Sequence, residues 1–201
     1  MRVNVYADPA DYTLSAEDIA WANYHIGLEQ GALKALQEGV PLDVLMGDFD
    51  SVSEADLAAL KTSGVKMLTY PSEKDDSDTA LAIQYALEQG ATTIRVYGGI
   101  GNRLDHTYAN LLWCKMAPVT FMNDVSKMYV LAPGNHRLTP RFKVVSFFAL
   151  DEALTLSLEG FKYPLKDYTL TINDPLCLSN EGSGTVSFEQ GLLLVIESNE
   201  T

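Results

Sequence analysis

The hydrophobic period of this chain changes near residue 120, and no other feature constrains its fold as strongly. Ahead of that point short apolar runs at residues 2–7 (RVNVYA), 23–28 (NYHIGL), 43–47 (DVLMG), 65–70 (VKMLTY) and 93–98 (TIRVYG) have the length and side-chain content of strands. Helix signals lie between them. Ser53 with Glu54 and Asp56 marks one start, and Ser77 or Asp78 caps a second helix whose apolar positions Leu81, Ile83, Ala86 and Leu87 precede a stop at Gly90. A third runs from Leu104 to Met116, ahead of Pro118. Strands and helices in alternation build an α/β layer on a mostly parallel sheet.

Past residue 120 the period is two. Leu154, Leu156 and Leu158 alternate with Thr155, Ser157 and Glu159, and residues 169–173 and 185–189 repeat the pattern. Turn signals at Pro133-Gly134-Asn135, Asn173-Asp174-Pro175 and Glu181-Gly182-Ser183-Gly184 separate these strands at the short spacing of a small antiparallel sandwich or barrel. No repeat or low-complexity linker intervenes. The expected organisation is an α/β domain over residues 1–125 packed with an antiparallel β-sandwich over 126–201.

The 201 residues are 47% apolar and 20% charged, the mix of an ordinary folded protein rather than a disordered one. Charge is the unusual quantity: 14 Lys and Arg against 27 Asp and Glu leave −13, which opposes broad binding to nucleic acid or an anionic membrane. Residues 1–125 hold 18 acids and 8 bases, net −10, so the excess lies in the α/β part. Cys114 and Cys177 have no metal or CxxC spacing and read as buried free thiols of a reducing compartment. The first residues lack the pattern of a signal peptide, and no window approaches the roughly 20 apolar residues of a membrane span. A cytoplasmic location is the expectation.

Three acidic or glycine-rich segments fall at the ends of expected strands, where open α/β sheets place their ligands. In Gly47-Asp48-Phe49-Asp50-Ser51 two carboxylates one residue apart can meet a single hard cation such as Mg²⁺, or simply be solvated turn residues capping the next helix. In Lys74-Asp75-Asp76-Ser77-Asp78 helix capping accounts for one or two acids but not readily for three within four residues. Gly98-Gly99-Ile100-Gly101-Asn102-Arg103-Leu104-Asp105-His106 offers backbone N–H groups to an anion, with Arg103 as a phosphate fork or as a structural partner of Asp105. His106 reads first as a helix-start residue, and neither His25 nor His136 has a supporting cluster. Metal-seeking carboxylates beside a phosphate-seeking loop are the requirements of phosphoryl transfer.

These segments, GDFDSV (47–52), KDDSDTALAI (74–83) and GGIGNRLDHTYANLL (98–112), with GFKYPL (160–165) and LSNE (178–181) further on, together resemble the thiamine pyrophosphokinase (thiamine diphosphokinase) family in order and spacing over nearly the whole chain. The resemblance implies an α/β catalytic domain and a C-terminal β-sandwich in a homodimer. It also implies transfer of the pyrophosphoryl group of ATP to the hydroxyethyl oxygen of thiamine, giving thiamine diphosphate and AMP. By position, Asp48, Asp50 and Asp78 would be the Mg²⁺ carboxylates, with Asp105 beside them in catalysis and Asp78 or Asp105 acting on the thiamine hydroxyl. Asp75, Gly98, Gly101, Arg103 and Asn110 would be the ATP and phosphate set. Ser179, Asn180 and Glu181 would bind thiamine at a site shared between subunits, and Tyr163 and Phe161 could wall its cationic ring or belong to the sandwich core. The chain departs from the family pattern at Glu29-Gln30-Gly31-Ala32-Leu33, where DGGAN is usual, at Ser77 in KDDSD, and at Ala80, where Glu is often found.

Two alternatives stand beside that reading. Asp48-Phe49-Asp50 after an apolar strand also resembles the nucleophile motif of haloacid-dehalogenase-type phosphatases, with Asp48 as the nucleophile, but Val52 stands where that motif has Thr and the strand is the third rather than the first. The altered loop at Glu29 and the missing acid at Ala80 would also suit a non-catalytic thiamine- or nucleotide-binding protein.

Overall fold

The computed structural model describes residues 1–199 apart from 10, 51, 72, 74 and 102. Contacts divide the chain into one unit of Met1–Trp113 with Pro118–Asp124, and a second of Cys114–Ala117 with Val125 onward.

The first unit carries strands β1 (Arg2–Tyr6), β2 (Tyr24–Leu28), β3 (Val44–Gly47), β4 (Lys66–Thr69), β5 (Thr93–Tyr97) and β6 (Val119–Met122), hydrogen-bonded in the order β6-β5-β1-β2-β3-β4. Every pair is parallel. A parallel sheet is covered on both faces, so its inner strands are continuous apolar runs: Val3, Val5, Ile26, Val44, Leu45, Ile94 and Val96 have no exposed surface at all. β4 lies at the edge, and its ends, Lys66 and Thr69, are exposed.

Helices α1 (Ala16–Trp21), α2 (Glu29–Gln37), α3 (Glu54–Thr62), α4 (Asp78–Glu88) and α5 (Leu104–Met116) follow strands or precede them. The expected caps are present: the Ser53 hydroxyl accepts the Asp56 N–H at 3.2 Å and the Ser77 hydroxyl accepts the Ala80 N–H at 3.2 Å. Ala80 is 5% exposed, so an acid there would have to be buried. The segment from Glu29 is the first turn of α2 rather than a loop, and its nine residues carry buried Ala32, Leu33 and Ala35 onto the core.

The second unit is an antiparallel sandwich. β12 (Asn180–Glu181), β9 (Val144–Ala149), β14 (Leu193–Ser198) and β7 (Ser126–Leu131) form one sheet, and β11 (Leu165–Thr171), β10 (Ala153–Glu159), β13 (Gly184–Phe188) and β8 (Gly134–Leu138) form the other. The period of two decides which side chains meet: Leu154, Leu156 and Leu158 from one sheet pack with Val145, Phe147, Leu193 and Val195 from the other. β11 starts at Leu165 and ends at Thr171, so the strand expected at 169–173 runs earlier, and Ile172 is 58% exposed beyond it. Among the described residues no helix is long and apolar enough to cross a membrane.

A buried polar network underlies the first sheet. Asn4 Nδ2 donates to the Tyr6 hydroxyl at 3.1 Å and to the Asp18 carbonyl at 2.9 Å, and the Tyr6 hydroxyl meets His25 Nδ1 at 3.0 Å. Burial holds the His25 imidazole below its ordinary range, offset only partly by the Asp43 charge. The unfolded chain therefore takes up this proton more readily, and the contribution is present above pH ~6.5 and lost as pH falls through it. Wild type should lose more melting temperature between pH 7 and pH 5 than His25→Gln; equal losses would contradict this.

Candidate active site

Moving outward from β1, the chain adds β2, β3 and β4 on one side and β5 and β6 on the other. The order reverses between β1 and β5, and a crevice opens there at the carboxyl ends of the strands. Asp8 follows β1, Glu29 follows β2, Asp48 and Asp50 follow β3, Asp78 opens α4, and the glycine segment follows β5.

The turn after β3 is built for close approach. Gly47 and Phe49 have φ of 146° and 59°, and the Phe49 ring is 5% exposed in the core, which turns the flanking carboxylates toward the crevice. A Cβ on Gly47 would lie close to the Glu29 carboxylate. Glu29, Asp48 and Asp78 bring carboxylate oxygens within 4.8 Å of one another. Three hard oxygen donors at that separation fit a small divalent cation such as Mg²⁺. The trio lines a cavity of ≈ 250 Å³ together with Asp8, Asp50 and His106. Asp50 thus shares the cavity but not the convergence, whereas Asp75 is exposed and outside it.

A second cavity, ≈ 320 Å³, is lined by Asp8, Gly99, Ile100, Gly101, Arg103 and His106. Asp8 and His106 border both cavities, so the glycine segment and the acidic trio are neighbours. Gly98 has a packing role instead: its φ is 89° and a Cβ there would lie 2.8 Å from the Pro9 carbonyl oxygen. Asn110 is buried, and its Nδ2 donates to the Gly99 carbonyl at 2.6 Å, fixing the loop from beneath. Arg103 grips Asp105 through two hydrogen bonds, Nε to Oδ1 at 3.2 Å and the terminal nitrogen to Oδ2 at 2.5 Å, both side chains being exposed. That contact holds the Asp105 carboxyl below the usual carboxylate range.

Asp8 has the opposite shift. Solvent reaches it, yet enough protein surrounds its carboxyl to raise it above the ordinary range, and the Asp78 charge pushes the same way. Two backbone N–H groups, of Gly31 and Gln30, oppose the rise. Those are among the first free donors of α2, so the Asp8 carboxylate faces the start of that helix. Ser51, Lys74 and Asn102, members of the three motifs, lie outside the described residues.

Comparison with known proteins decides the family. The thiamin pyrophosphokinase catalytic domain matches residues 16–119, and the thiamin pyrophosphokinase vitamin B1 binding domain matches residues 135–193. The chain belongs to the thiamine pyrophosphokinase family. A thiamine pyrophosphokinase of Bacillus subtilis (strain 168) is 30% identical over 208 residues, which cover 98% of this chain and 94% of that relative. Solved structures of similar proteins include that of thiamine pyrophosphokinase from Bacillus subtilis, 27% identical over all of both chains with a TM-score of 0.87. Another, from Geobacillus thermodenitrificans, is 30% identical over 100% of this chain and 99% of the other, with a TM-score of 0.84. The fold is therefore that of thiamine pyrophosphokinases, a helix-covered parallel sheet followed by an antiparallel sandwich. The enzyme activity is that of a thiamine pyrophosphokinase, transfer of the pyrophosphoryl group of ATP to thiamine with release of AMP. Neither a haloacid-dehalogenase-type phosphatase nor a non-catalytic binder finds support among these relatives.

Within the region matching the B1-binding domain, Ser179 has φ of 57° and donates its N–H to the Ser146 hydroxyl at 2.9 Å. Asn180 is buried and clasps the 160s turn, accepting the Tyr163 N–H at 2.9 Å and donating to the Tyr163 carbonyl at 2.8 Å. Glu181 pairs with Lys162 at 2.5 Å. Beside them is an apolar cavity of ≈ 220 Å³ whose walls include Tyr163, Leu176, Leu178 and Asn180. Phe161 is a core residue, 5% exposed and edge-on to Phe147 at 5.6 Å, whereas Tyr163 is 56% exposed at the cavity. Both cysteines are buried and neither is in a disulfide, and burial pushes the Cys177 thiol up to about 11.

Asp8, Glu29 and His106 were not among the expected site residues. Asp8 and Glu29 directly follow apolar strands, which is the signal that could have marked them.

Proposed function

We propose that this enzyme works with Mg²⁺ held at Asp48 and Asp78, with Asp50 in the same cavity, and that the Gly99–Arg103 segment receives the ATP phosphates. The observation carrying the proposal is the convergence of three carboxylates at the reversal point of the sheet, beside a glycine-lined cavity with an arginine at its rim. Bound there, Mg²⁺ would supply charge neutralisation for the triphosphate.

The chain's own residues supply the rest. Backbone N–H groups of the glycine segment and the Arg103 fork bind phosphate oxygens, exchanging the weak, solvent-exposed contact with Asp105 for a charge-assisted one. Asp78 orients the thiamine hydroxyl and takes its proton as that oxygen bonds to the β-phosphorus and the bond to the α-phosphate oxygen breaks, releasing AMP. The net charge of −10 over residues 1–125 favours the cationic thiazolium ring. Ser179, Asn180 and Glu181 form the thiamine end of the site, completed between two subunits of a homodimer in the cytoplasm. The exposed stripe Leu104, Tyr108 and Leu112 along α5, at four-residue spacing, supports an apolar partner surface.

The test is the product dependence. AMP should form only when ATP, thiamine and Mg²⁺ are all present, one AMP per thiamine diphosphate. Orthophosphate release with label on Asp48 would instead support phosphatase chemistry. Ser179→Asn, which tolerates the left-handed backbone while adding bulk, should raise the KM for thiamine about tenfold and leave that for ATP within about twofold. Equal rises would move the thiamine site elsewhere.

A further inference from the structure

Glu29 stands where the family pattern has Asp, and its surroundings explain what the longer side chain does. The residue is 7% exposed and opens α2 with φ of 45°. Its backbone position is fixed from two sides. The next two N–H groups, of Gln30 and Gly31, face the Asp8 carboxylate and favour its charged form. Gly31 presses on the end of β1 so closely that a Cβ would lie 2.6 Å from the Tyr6 carbonyl carbon and 2.8 Å from the Ala7 nitrogen. From the end of β2 the side chain reaches the turn after the neighbouring β3, where Oε1 accepts the Phe49 N–H at 2.7 Å. The Phe49 ring is locked in the core while its backbone is left-handed, so this N–H sets the direction of the peptide that follows Asp48. Gly47 leaves the room, since a Cβ there would lie within 3.2 Å of the Glu29 carboxyl carbon.

We infer that Glu29 is a positioning residue for the pyrophosphoryl transfer: it clamps the Gly47–Asp50 turn through the Phe49 N–H and so keeps the Asp48 carboxylate against Asp78. The inference rests on the assignment of Asp48 and Asp78 to the metal. It separates the clamp, an accepted hydrogen bond, from the negative charge that carries it. An amide of the same length preserves the first and removes the second. A carboxylate one methylene shorter preserves the charge and loses the reach.

The experiment compares wild type, Glu29→Gln, Glu29→Asp and Glu29→Ala. Binding of Mn²⁺ alone is followed by water-proton relaxation, together with the Mg²⁺ concentration for half-maximal AMP formation and the melting temperature. The clamp predicts that Gln stays within about threefold of wild type in both metal measurements, whereas Asp weakens Mn²⁺ binding and raises the Mg²⁺ requirement about tenfold or more, with a smaller change in kcat at saturating Mg²⁺. Gln as weak as Asp would overturn the clamp in favour of direct ligation by the Glu29 charge. Asp equal to wild type would remove any role. If Ala fails to fold, the Gln and Asp pair still decides. If wild type makes no thiamine diphosphate, the functional reading fails, while Mn²⁺ binding continues to judge the clamp.

Discussion

Asp48→Asn should lower Mg²⁺-dependent turnover by about 10²–10³ while leaving the fold and the melting temperature nearly unchanged. The substitution keeps side-chain volume and still offers an acceptor to the Asp50 N–H, which meets Asp48 Oδ1 at 3.2 Å, so the local turn survives. What is lost is one negative oxygen of three that converge within 4.8 Å. Removing a like charge from such a cluster relieves repulsion in the absence of metal, so stability should hold or rise even as activity falls. Asp78→Asn should behave the same way. Asp50→Asn should cost less than either, because Asp50 lines the cavity without joining the trio. Steady-state kinetics over a Mg²⁺ titration measures the order. A loss at Asp50 equal to or larger than that at Asp48 would reassign the metal ligands.

The second large effect is at Arg103. Arg103→Lys should lower kcat/KM for ATP by about 10²-fold and Arg103→Ala by more, although Lys keeps the charge. The guanidinium already shows fork geometry, meeting both oxygens of Asp105. A phosphate presents a similar pair of oxygens, and a lysine ammonium cannot match two of them at once. Since the pair with Asp105 is fully solvated, giving it up for a phosphate costs little. Asp105→Asn should accordingly have a milder effect than Arg103→Lys. Near-normal activity in the lysine variant would show that charge alone suffices.

Much of the fold was legible because its cause is local. The apolar runs that became β1 to β5 announce themselves by length and composition, and Ser53 and Ser77 cap α3 and α4 with their own hydroxyls. The alternation of Leu154, Leu156 and Leu158 marks the inner face of β10. α2 was not legible, for an equally physical reason. Leu28 precedes it with no side-chain cap, Gly31 lies in its first turn, and the carboxylate facing its first N–H groups is Asp8, some twenty residues earlier. Residues 29–33 read as a loop give no sign that the Glu29 carboxylate accepts the Phe49 N–H.

The site was readable in part on the same principle. Asp48 and Asp78 lie in short motifs whose acid density already suggested a cation, and both reach the convergent trio. Asp50 and Asp75 carry the same sequence signal, yet Asp50 only lines the cavity beside the trio and Asp75 is exposed outside it. Gly98 and Asn110 belong to the glycine segment as supports, one packed under the end of β1 and the other beneath the Gly99 carbonyl. Neither role is visible without the sheet order that brings β1 and β5 together.

The central claim is that the whole pyrophosphoryl group moves in one step from ATP to thiamine at this acidic, glycine-lined crevice. It is tested most directly with ATP labelled on both its β- and γ-phosphorus, supplied with thiamine and Mg²⁺. Both labels should appear together in thiamine diphosphate, with unlabelled AMP in equal amount and no label on the protein. Label in orthophosphate, or bound to Asp48, would contradict the account.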